Sequence, residues 1–412
     1  MKTNHYIHWK RNISVFLTSQ TISLFGSSIV QYAIMWYITL TTQSGIMMTI
    51  AILCGFVPTF LLSPFAGVWA DRYNRKMLII LSDSAIALAT LILAILFLSG
   101  YESLWMLFIM YVIRSFGTGI QTPTVGAILP QIVPEEHLTK VNGINGSIQA
   151  LVMLLSPMVS AALLTITTLE TLFFIDVVTA AIAVATLLFF LQIPPHEKAL
   201  QQQISYFADF KQGLVYIKNN EFLKILFIYF AIFFVMAAPV SFLTPLQVTR
   251  TFGEDVWRLS AIEIAFSIGM MAGGAVIAVW GGFKNRTYTM ALSSIIFGVC
   301  TFLLGIVPNF WFYCSIMALA GVAMPLFNTP STVLLQEKVE GDYLGRIFGV
   351  LTMISTSMMP LGMLIFGPIS DFIKIEWLLL GTGVAMFVLS FVLVGNKVLV
   401  EAGKPKNMES SQ

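Results

Sequence analysis

Four ionisable side chains interrupt long apolar stretches of this chain: Asp83, Arg114, Asp176 and Glu263. A charge inside a bilayer is costly unless it is paired or hydrated, so such residues are functional candidates by default. A carboxyl group at this depth could take up a proton on one side of a membrane and release it on the other, which is the chemistry of proton-coupled transport. The alternative for Asp176 and Glu263 is a carboxylate hydrogen-bonded to serine, threonine or backbone at a wet helix end.

The arginine is the most costly of the four. Arg114 lies about ten residues into the fourth predicted span, and its expected partner is Asp83, about six residues into the third. Because adjacent spans are antiparallel and a helix rises about 1.5 Å per residue, the two side chains should differ in depth by about one turn. The pair could couple a proton or rearrange its charges during a conformational change. A static ion pair is the alternative.

Helices that cross a membrane must position these residues. Of 412 residues, 57% are apolar and 10% are charged, whereas soluble domains carry about 25% charged residues. A helix needs about 20 apolar residues to cross a bilayer, and we predict an all-α integral membrane protein whose first helix is retained rather than cleaved as a signal peptide. The twelve predicted spans cover residues 13–39, 46–70, 77–98, 104–129, 141–166, 171–193, 222–249, 258–282, 287–307, 310–335, 346–370 and 376–396.

The longest polar connection covers residues 194–220 and separates two predicted six-helix bundles, residues 1–193 and 221–412, the second ending in a short tail. Within this connection, Phe207, Phe210, Leu214 and Ile217 recur at helical spacing among charged residues. The pattern predicts a short amphipathic helix on the membrane surface. A solvated linker is the alternative.

The basic residues are distributed unevenly between the two sides that the spans define. Of 22 lysines and arginines, Arg114 lies within a span, and Arg250, Arg258 and Lys374 fall on one side. The remaining eighteen fall on the other. This bias predicts that both termini and the central connection are cytoplasmic.

The two halves also resemble each other. Trp69 and Asn74 recur 211 residues later as Trp280 and Asn285 with the same internal spacing, and a Thr-Pro pair recurs in the tenth span as in the fourth. Two parallel six-helix repeats with a substrate site between them near the midplane are a known transporter architecture. Duplication therefore favours a secondary transporter.

The connection after the second span, residues 67–76, reads GVWADRYNRK. It resembles the signature of the major facilitator superfamily: glycine, three residues, aspartate, a basic residue, one residue, glycine and two basic residues. The resemblance implies two six-helix bundles related by pseudo-two-fold symmetry. It also implies a cytoplasmic gate formed here by Gly67, Asp71, Arg72, Arg75 and Lys76; the alternative for the cations is that they only set the topology.

This chain departs from the family pattern in several places. Asn74 replaces the second glycine of the signature, and we expect it to adopt the left-handed turn of that position. In the second half, Gly282 and Phe283 stand where the aspartate and its basic neighbour would be. Many drug–proton antiporters carry an acid in the first helix, whereas the first span here offers Gln20 and Gln31 as its larger polar side chains.

Beyond the superfamily, the chain resembles the macrolide-efflux branch of bacterial drug exporters. The resemblance lies in residues 9–11, 113–123, 133–140, 336–338 and 343–346. It implies proton-driven export of a bulky amphipathic compound from the cytoplasm across the bacterial cytoplasmic membrane by alternating access. The competing hypotheses are export of a siderophore or another metabolite, uptake by a carrier of the same fold, and a membrane protein that senses a ligand without transporting it.

Depth within the spans suggests five residues that could line a substrate cavity: Gln31, Tyr32, Gln149, Met236 and Asn328. The sequence contains no Gly-x-x-x-x-Gly-Lys-Ser/Thr phosphate loop, and its histidines lie outside the spans, so we expect neither an enzyme, a cofactor nor a metal site. The expected partners are a small amphipathic substrate, protons and membrane lipid, but no nucleic acid. We expect a monomer.

Overall fold

The computed structural model describes residues 8–191 and 206–404, and these residues form helices and connections without a strand. Twelve of the helical segments are long and apolar enough to cross a membrane, which confirms the predicted all-α fold. The helices in chain order are α1 (Trp9–Thr42), α2 (Gly45–Arg72), α3 (Arg75–Leu98), α4 (Leu104–Ile132), α5 (Glu135–Ile166), α6 (Leu169–Phe190), α7 (Tyr206–Asn219), α8 (Glu221–Phe242), α9 (Thr244–Phe252), α10 (Val256–Trp280), α11 (Arg286–Leu304), α12 (Phe310–Lys338), α13 (Gly341–Ile369), α14 (Ile375–Gly395) and α15 (Lys397–Ala402).

The seventh membrane span consists of two helices. Helices α8 and α9 together cover Glu221–Phe252, and they meet at Leu243. Pro239 and Pro245 flank this junction, and a proline inside a helix removes one hydrogen bond of the ladder. Several other helices extend beyond the apolar stretches because their polar ends continue into water; α5, for example, begins at Glu135, six residues before the predicted start.

Among the described residues, the chain divides into two compact units. The first contains residues up to Thr41 and from Ile50 to 191. The second contains Thr42–Thr49 and the residues from 206 onward. The connection between α1 and α2 therefore belongs to the second unit, although both helices continue in the first.

Equivalent helices pair in the same way within each unit. In the first unit α3 packs against α4 and α6, and in the second α11 packs against α12 and α14. Small residues permit the closest of these approaches: a β-carbon on Gly269 or Gly273 of α10 would collide with a backbone carbonyl of α12. Such close packing is the main attraction between helices in a bilayer, where the hydrophobic effect is absent.

Helix α7 lies within the connection for which the sequence predicts an amphipathic helix, and it packs against α8 and α13 of the second unit. Tyr216 stacks on Tyr343 with ring centroids 4.3 Å apart. Residues 192–205, which begin this connection, lie outside the described residues.

Candidate functional site

An ion pair lies buried inside the first unit. Arg114 of α4 donates from Nη1 to Oδ2 of Asp176 in α6 at 2.5 Å, and 8% of Arg114 and none of Asp176 is exposed. The prediction that Asp83 is the partner of Arg114 is therefore wrong. Arg114 lies ten residues from the start of α4 and Asp176 seven from the start of α6, whereas Asp83 lies fifteen from the corresponding end of α3. At about 1.5 Å per residue, Asp176 is the acid closer in depth.

Two small polar residues complete this ion pair. Ser27 of α1 donates from Oγ to Asp176 Oδ1 at 2.9 Å, and its carbonyl oxygen accepts from Arg114 Nη2 at 2.9 Å. Thr90 of α3 has its hydroxyl 3.3 Å from both Asp176 Oδ2 and Arg114 Nη1. The charges are thus paired and hydrogen-bonded by four helices, as a buried ion pair requires.

Asp83 forms a separate cluster deeper in the same unit. Its Oδ1 accepts from Ser23 Oγ at 3.2 Å and from Gln121 Nε2 at 2.7 Å, and 2% of the residue is exposed. Its Oδ2 is buried without a hydrogen-bond partner among the described residues, as is Nε2 of Gln20. Asp83 therefore has one oxygen held by neighbours and one oxygen available to a proton or a water molecule.

The spacing of polar residues in the sequence indicates these partners. Ser19, Ser23 and Ser27 recur every four residues along α1 and hence share one face, and Gln121 lies two turns after Arg114 in α4. Small polar residues at helical spacing in a span indicate hydrogen bonds between helices. They could have identified α1 as the partner of both acids.

Glu263 lies in the second unit, seven residues after the start of α10. It is half-buried, and in the described part of the chain it makes no hydrogen bond or ion pair. Its carboxyl group thus lacks the kind of partner that Arg114 provides to Asp176. The structure brings neither Asp83 nor Glu263 into an ion pair, and their role in proton coupling stays a prediction.

The five predicted cavity residues divide by exposure. Gln31 and Gln149 of the first unit and Asn328 of the second are exposed, although each lies well inside a spanning helix. Tyr32, which packs against Trp36, and Met236 are half-buried. Polar side chains exposed within a membrane span face a water-filled cavity or the bundle interior far more often than lipid. Their placement fits a cavity-lining role, which stays a prediction.

Two of the predicted gate residues bind helix ends within the first unit. Arg75 donates to the carbonyl oxygens of Ala70 at 2.9 Å and Ala127 at 2.8 Å, and Lys76 donates to that of Leu191 at 2.8 Å. Cations near the C-terminal ends of α2, α4 and α6 bind carbonyl groups there and interact favourably with the helix dipoles. They therefore do more than set the topology.

The other gate residues are less informative. Arg72 is exposed, Gly67 lies near the C-terminal end of α2, and the side chain of Asp71 lies outside what the structure describes. The prediction of a left-handed turn at Asn74 is wrong: its φ is −67°, and its side chain caps α3 by accepting from the backbone N–H of Met77. Left-handed backbone occurs instead in the second copy of the loop, at Gly281 and Gly282.

A further cluster of polar groups lies in the loops of the second unit. Asp371 accepts from Ser44 Oγ and the backbone N–H of Gly45, both at 2.7 Å, from the backbone N–H of Ile46 at 3.0 Å, and from Arg250 at 3.1 Å. Burial by itself would raise the pKa of Asp371, but these four hydrogen bonds outweigh it and lower the pKa below its ordinary value. A carboxylate from another segment thus caps the N-terminus of α2.

The described residues contain no cluster of histidine, cysteine, aspartate and glutamate that could hold a metal ion. In the first unit, the buried carboxyl group of Asp83 instead accepts hydrogen bonds from polar side chains of two other helices, α1 and α4.

Comparison with known proteins identifies the family of this chain and supports its fold. The sequence model of the Major Facilitator Superfamily matches residues 16–363. Macrolide efflux protein A of Streptococcus pyogenes is 31% identical over 379 residues, which cover 91% of this chain and 93% of that protein. The staphyloferrin A transporter of Staphylococcus aureus is 25% identical, over 93% of this chain and 96% of that protein.

Solved transporters share the fold at low sequence identity. A POT family transporter in complex with 5-aminolevulinic acid superimposes with a TM-score of 0.73 at 12% identity, covering 93% of this chain and 96% of that one. The nucleoside transporter NupG gives a TM-score of 0.67 at 14% identity, covering 94% and 99%.

Proposed function

Since this chain belongs to the Major Facilitator Superfamily and is a multi-pass membrane transporter, we propose that it exports a bulky amphipathic compound of the macrolide class from the bacterial cytoplasm in exchange for protons. The substrate class is supported by 31% identity to macrolide efflux protein A across nearly the whole of both chains. Proton exchange is supported by one structural observation, the buried carboxyl group of Asp83 with an unpartnered oxygen.

The proposed proton site is Asp83 Oδ2. Because Oδ1 already accepts from Ser23 and Gln121, a proton would bind at Oδ2 without displacing either donor. An ionised carboxylate with an unsatisfied buried oxygen is costly, so each change in hydration of this cluster changes the balance between the two protonation states. Gln20, whose Nε2 also lacks a partner, could hold the water that delivers the proton.

The Arg114–Asp176 pair has a different role in this proposal. Asp176 is fully buried and bound by arginine, serine and threonine, so a proton would have to displace the guanidinium group. We assign to the pair the positioning of α1, α3, α4 and α6 around Asp83. Glu263 of α10 is the second candidate for a proton carrier because it is half-buried and unpaired among the described residues.

The direction of transport follows from the proposed exchange, in which substrate leaves the cell as protons enter. If the side carrying eighteen basic residues is cytoplasmic, both termini and the loop with Arg75 and Lys76 are cytoplasmic. The membrane potential then drives protons inward with about 2.3 kcal/mol per charge per 100 mV, and one proton can sustain a useful outward drug gradient. The loop of residues 67–76 would form the cytoplasmic gate.

The test measures accumulation of radiolabelled erythromycin in susceptible bacteria that express the chain, with and without a protonophore. We expect low accumulation in cells with the wild-type chain, restored by the protonophore and by Asp83→Asn. Glu170→Gln is the matched control, because Glu170 is also an acid but lies in the first turn of α6. All variants should be present in the membrane at equal levels.

Two outcomes would contradict the proposal separately. Unchanged erythromycin accumulation with the wild-type chain in the membrane would exclude the macrolide class. Wild-type export by Asp83→Asn would exclude Asp83 as the proton site.

A siderophore is the second candidate substrate, favoured by the match to the staphyloferrin A transporter over most of both chains. Export of a siderophore and export of a macrolide can be separated in the same cells by measuring which compound accumulates in the medium. An uptake carrier would instead raise the amount of substrate inside the cells.

A further inference from the structure

An open apolar groove of about 300 Å³ lies within the second unit, where α7, α8 and α13 meet. Its apolar lining consists of Leu214, Ile217, Phe227, Ile228, Ala231 and Ile354. Two of these side chains are strongly exposed, Leu214 at 43% and Ile228 at 51%. The groove is therefore a surface that needs an apolar occupant.

Two lysines line one end of this groove. Lys218 lies in the last turn of α7, and Lys224 lies one turn into α8; both are exposed. Along α8, Lys224 is followed at helical spacing by Phe227, Ile228 and Ala231, which share one face of the helix. The groove thus begins beside two lysines at the start of a membrane span and continues along apolar side chains about two turns deeper.

We propose that this groove binds an anionic phospholipid, with the headgroup phosphate at Lys218 and Lys224 and an acyl chain along α8. The direction of the groove fits this ligand, because the charged end lies where α8 begins and the apolar end lies deeper in the span. Basic pockets between membrane helices are known sites for acidic headgroups. In the proposed topology the groove opens to the cytoplasmic leaflet, where anionic lipids provide a negative surface potential.

Charge argues against other occupants. A cationic amphipathic substrate would meet two like charges at the mouth of the groove, and a zwitterionic lipid offers no net negative charge to them. Glu221 is the acid nearest in sequence, but it lies outside the lining of the groove. The lipid would hold α7 against α8 and α13, and so would fix the end of the connection between the two units.

The proposal can be tested on the purified full-length protein in detergent by native mass spectrometry and thermal unfolding. Dioleoyl phosphatidylglycerol should bind and raise the Tm, whereas dioleoyl phosphatidylcholine and inorganic phosphate at equal concentration should not. The variant Lys218→Gln/Lys224→Gln should weaken phosphatidylglycerol binding about thirtyfold, since each lysine near an anionic headgroup contributes about 1 kcal/mol. Ala231→Phe, which fills the apolar end without changing charge, should also weaken it.

The control variant is Lys284→Gln/Lys397→Gln, which removes two exposed lysines of the same unit that do not line the groove. It should bind phosphatidylglycerol as the wild type does. The proposal fails if both double variants lose binding equally, since the effect would then reflect overall charge. It also fails if phosphatidylcholine binds as tightly as phosphatidylglycerol, or if phosphate alone gives the same stabilisation.

Discussion

The interiors of the two units differ in charge at equivalent positions. By the 211-residue offset of the repeated loop, Asp83 corresponds to Ser294, and by the 207-residue offset of the Thr-Pro pair, Arg114 corresponds to Gly321. Asp83 accepts from a residue of the first helix of its unit, and Ser294 contacts Tyr229 in the equivalent helix at 2.6 Å. The hydrogen bond between these two helices is kept, but the position in the second unit equivalent to Asp83 carries no charge.

Aromatic side chains fill the interior of the second unit. Phe233 stacks on Phe327 with ring centroids 4.8 Å apart, and Tyr229 stacks on Phe233 at 6.0 Å. All three are almost completely buried. Large rings contribute burial and specific packing geometry, so this core can be stable without ion pairs.

The difference between the two units shows which half of this duplicated fold can hold buried charges. An arginine in a spanning helix requires a paired acid and hydrogen-bond acceptors on several helices, and the first unit supplies all of these around Arg114. The second unit places its ion pairs at helix ends, as Arg250–Asp371 and Arg286–Glu337. Glu263 differs from these charges, because it lies within a spanning helix and forms no ion pair among the described residues.

The largest expected loss of stability comes from breaking the Arg114–Asp176 ion pair of the first unit. Arg114→Met or Asp176→Leu should each lower the free energy of unfolding by about 3–5 kcal/mol, because each leaves a buried charge without its partner. The double variant should be more stable than either single variant, since no charge remains. Thermal unfolding in detergent measures all three.

A double variant as unstable as the sum of the two single variants would show that the charges do not interact. The matched control in the second unit is Ser390→Ala. Ser390 is a buried polar residue that donates to its own helix at 2.5 Å, and its removal should change stability by less than about 1 kcal/mol.

The next largest loss of stability is expected when an acid equivalent to Asp83 is introduced into the second unit. Ser294→Asp should lower the free energy of unfolding by about 2–3 kcal/mol, because the new carboxylate lies among aromatic rings and has no cation to pair with. Ser294→Asn adds a side chain of the same size without charge and serves as the control. If Ser294→Asp were as stable as Ser294→Asn at neutral pH, the interior of the second unit would tolerate a buried acid as the first unit does.

Much of the fold follows from the sequence because the bilayer imposes long apolar helices. The twelve spans were predicted with edges wrong by several residues, since helices continue into water where hydropathy gives no signal. Arg114 and Asp176 were both recognised as candidates from their position in apolar runs. Their pairing was not predicted, because it depends on the depth at which α4 and α6 lie side by side.

Contacts of loops were harder to predict than buried charges. The sequence does not single out Asp371, because a polar residue after a span is ordinary and its role depends on the backbone N–H groups of α2, more than 300 residues earlier. Asn74 was assigned a left-handed turn from the family pattern, but an asparagine before a helix can also act as an N-cap, and the structure shows the cap. In both cases a side chain satisfies the backbone of a helix end, which residue type alone does not reveal.

The smallest expected loss of stability concerns the N-terminus of α2, which the carboxylate of Asp371 caps. The hydrogen bonds lower the pKa of Asp371. Its ionised form therefore stabilises the folded state above the unfolded pKa of about 3.9, and this contribution is lost as the pH falls through the folded pKa.

Asp371→Asn keeps an acceptor oxygen but removes the charge from the N-terminus of α2. It should reduce stability at pH 7 by about 0.5–1 kcal/mol, and the difference from the wild type should shrink below about pH 4. Thermal unfolding between pH 7 and pH 3.5 measures it, with Glu401→Gln, which changes an exposed acid near the C-terminal end of α15 in the same unit, as the control. A difference that stays constant with pH would mean that the charge of Asp371 does not stabilise the helix, and that charge in the second unit lacks a structural role even at helix ends.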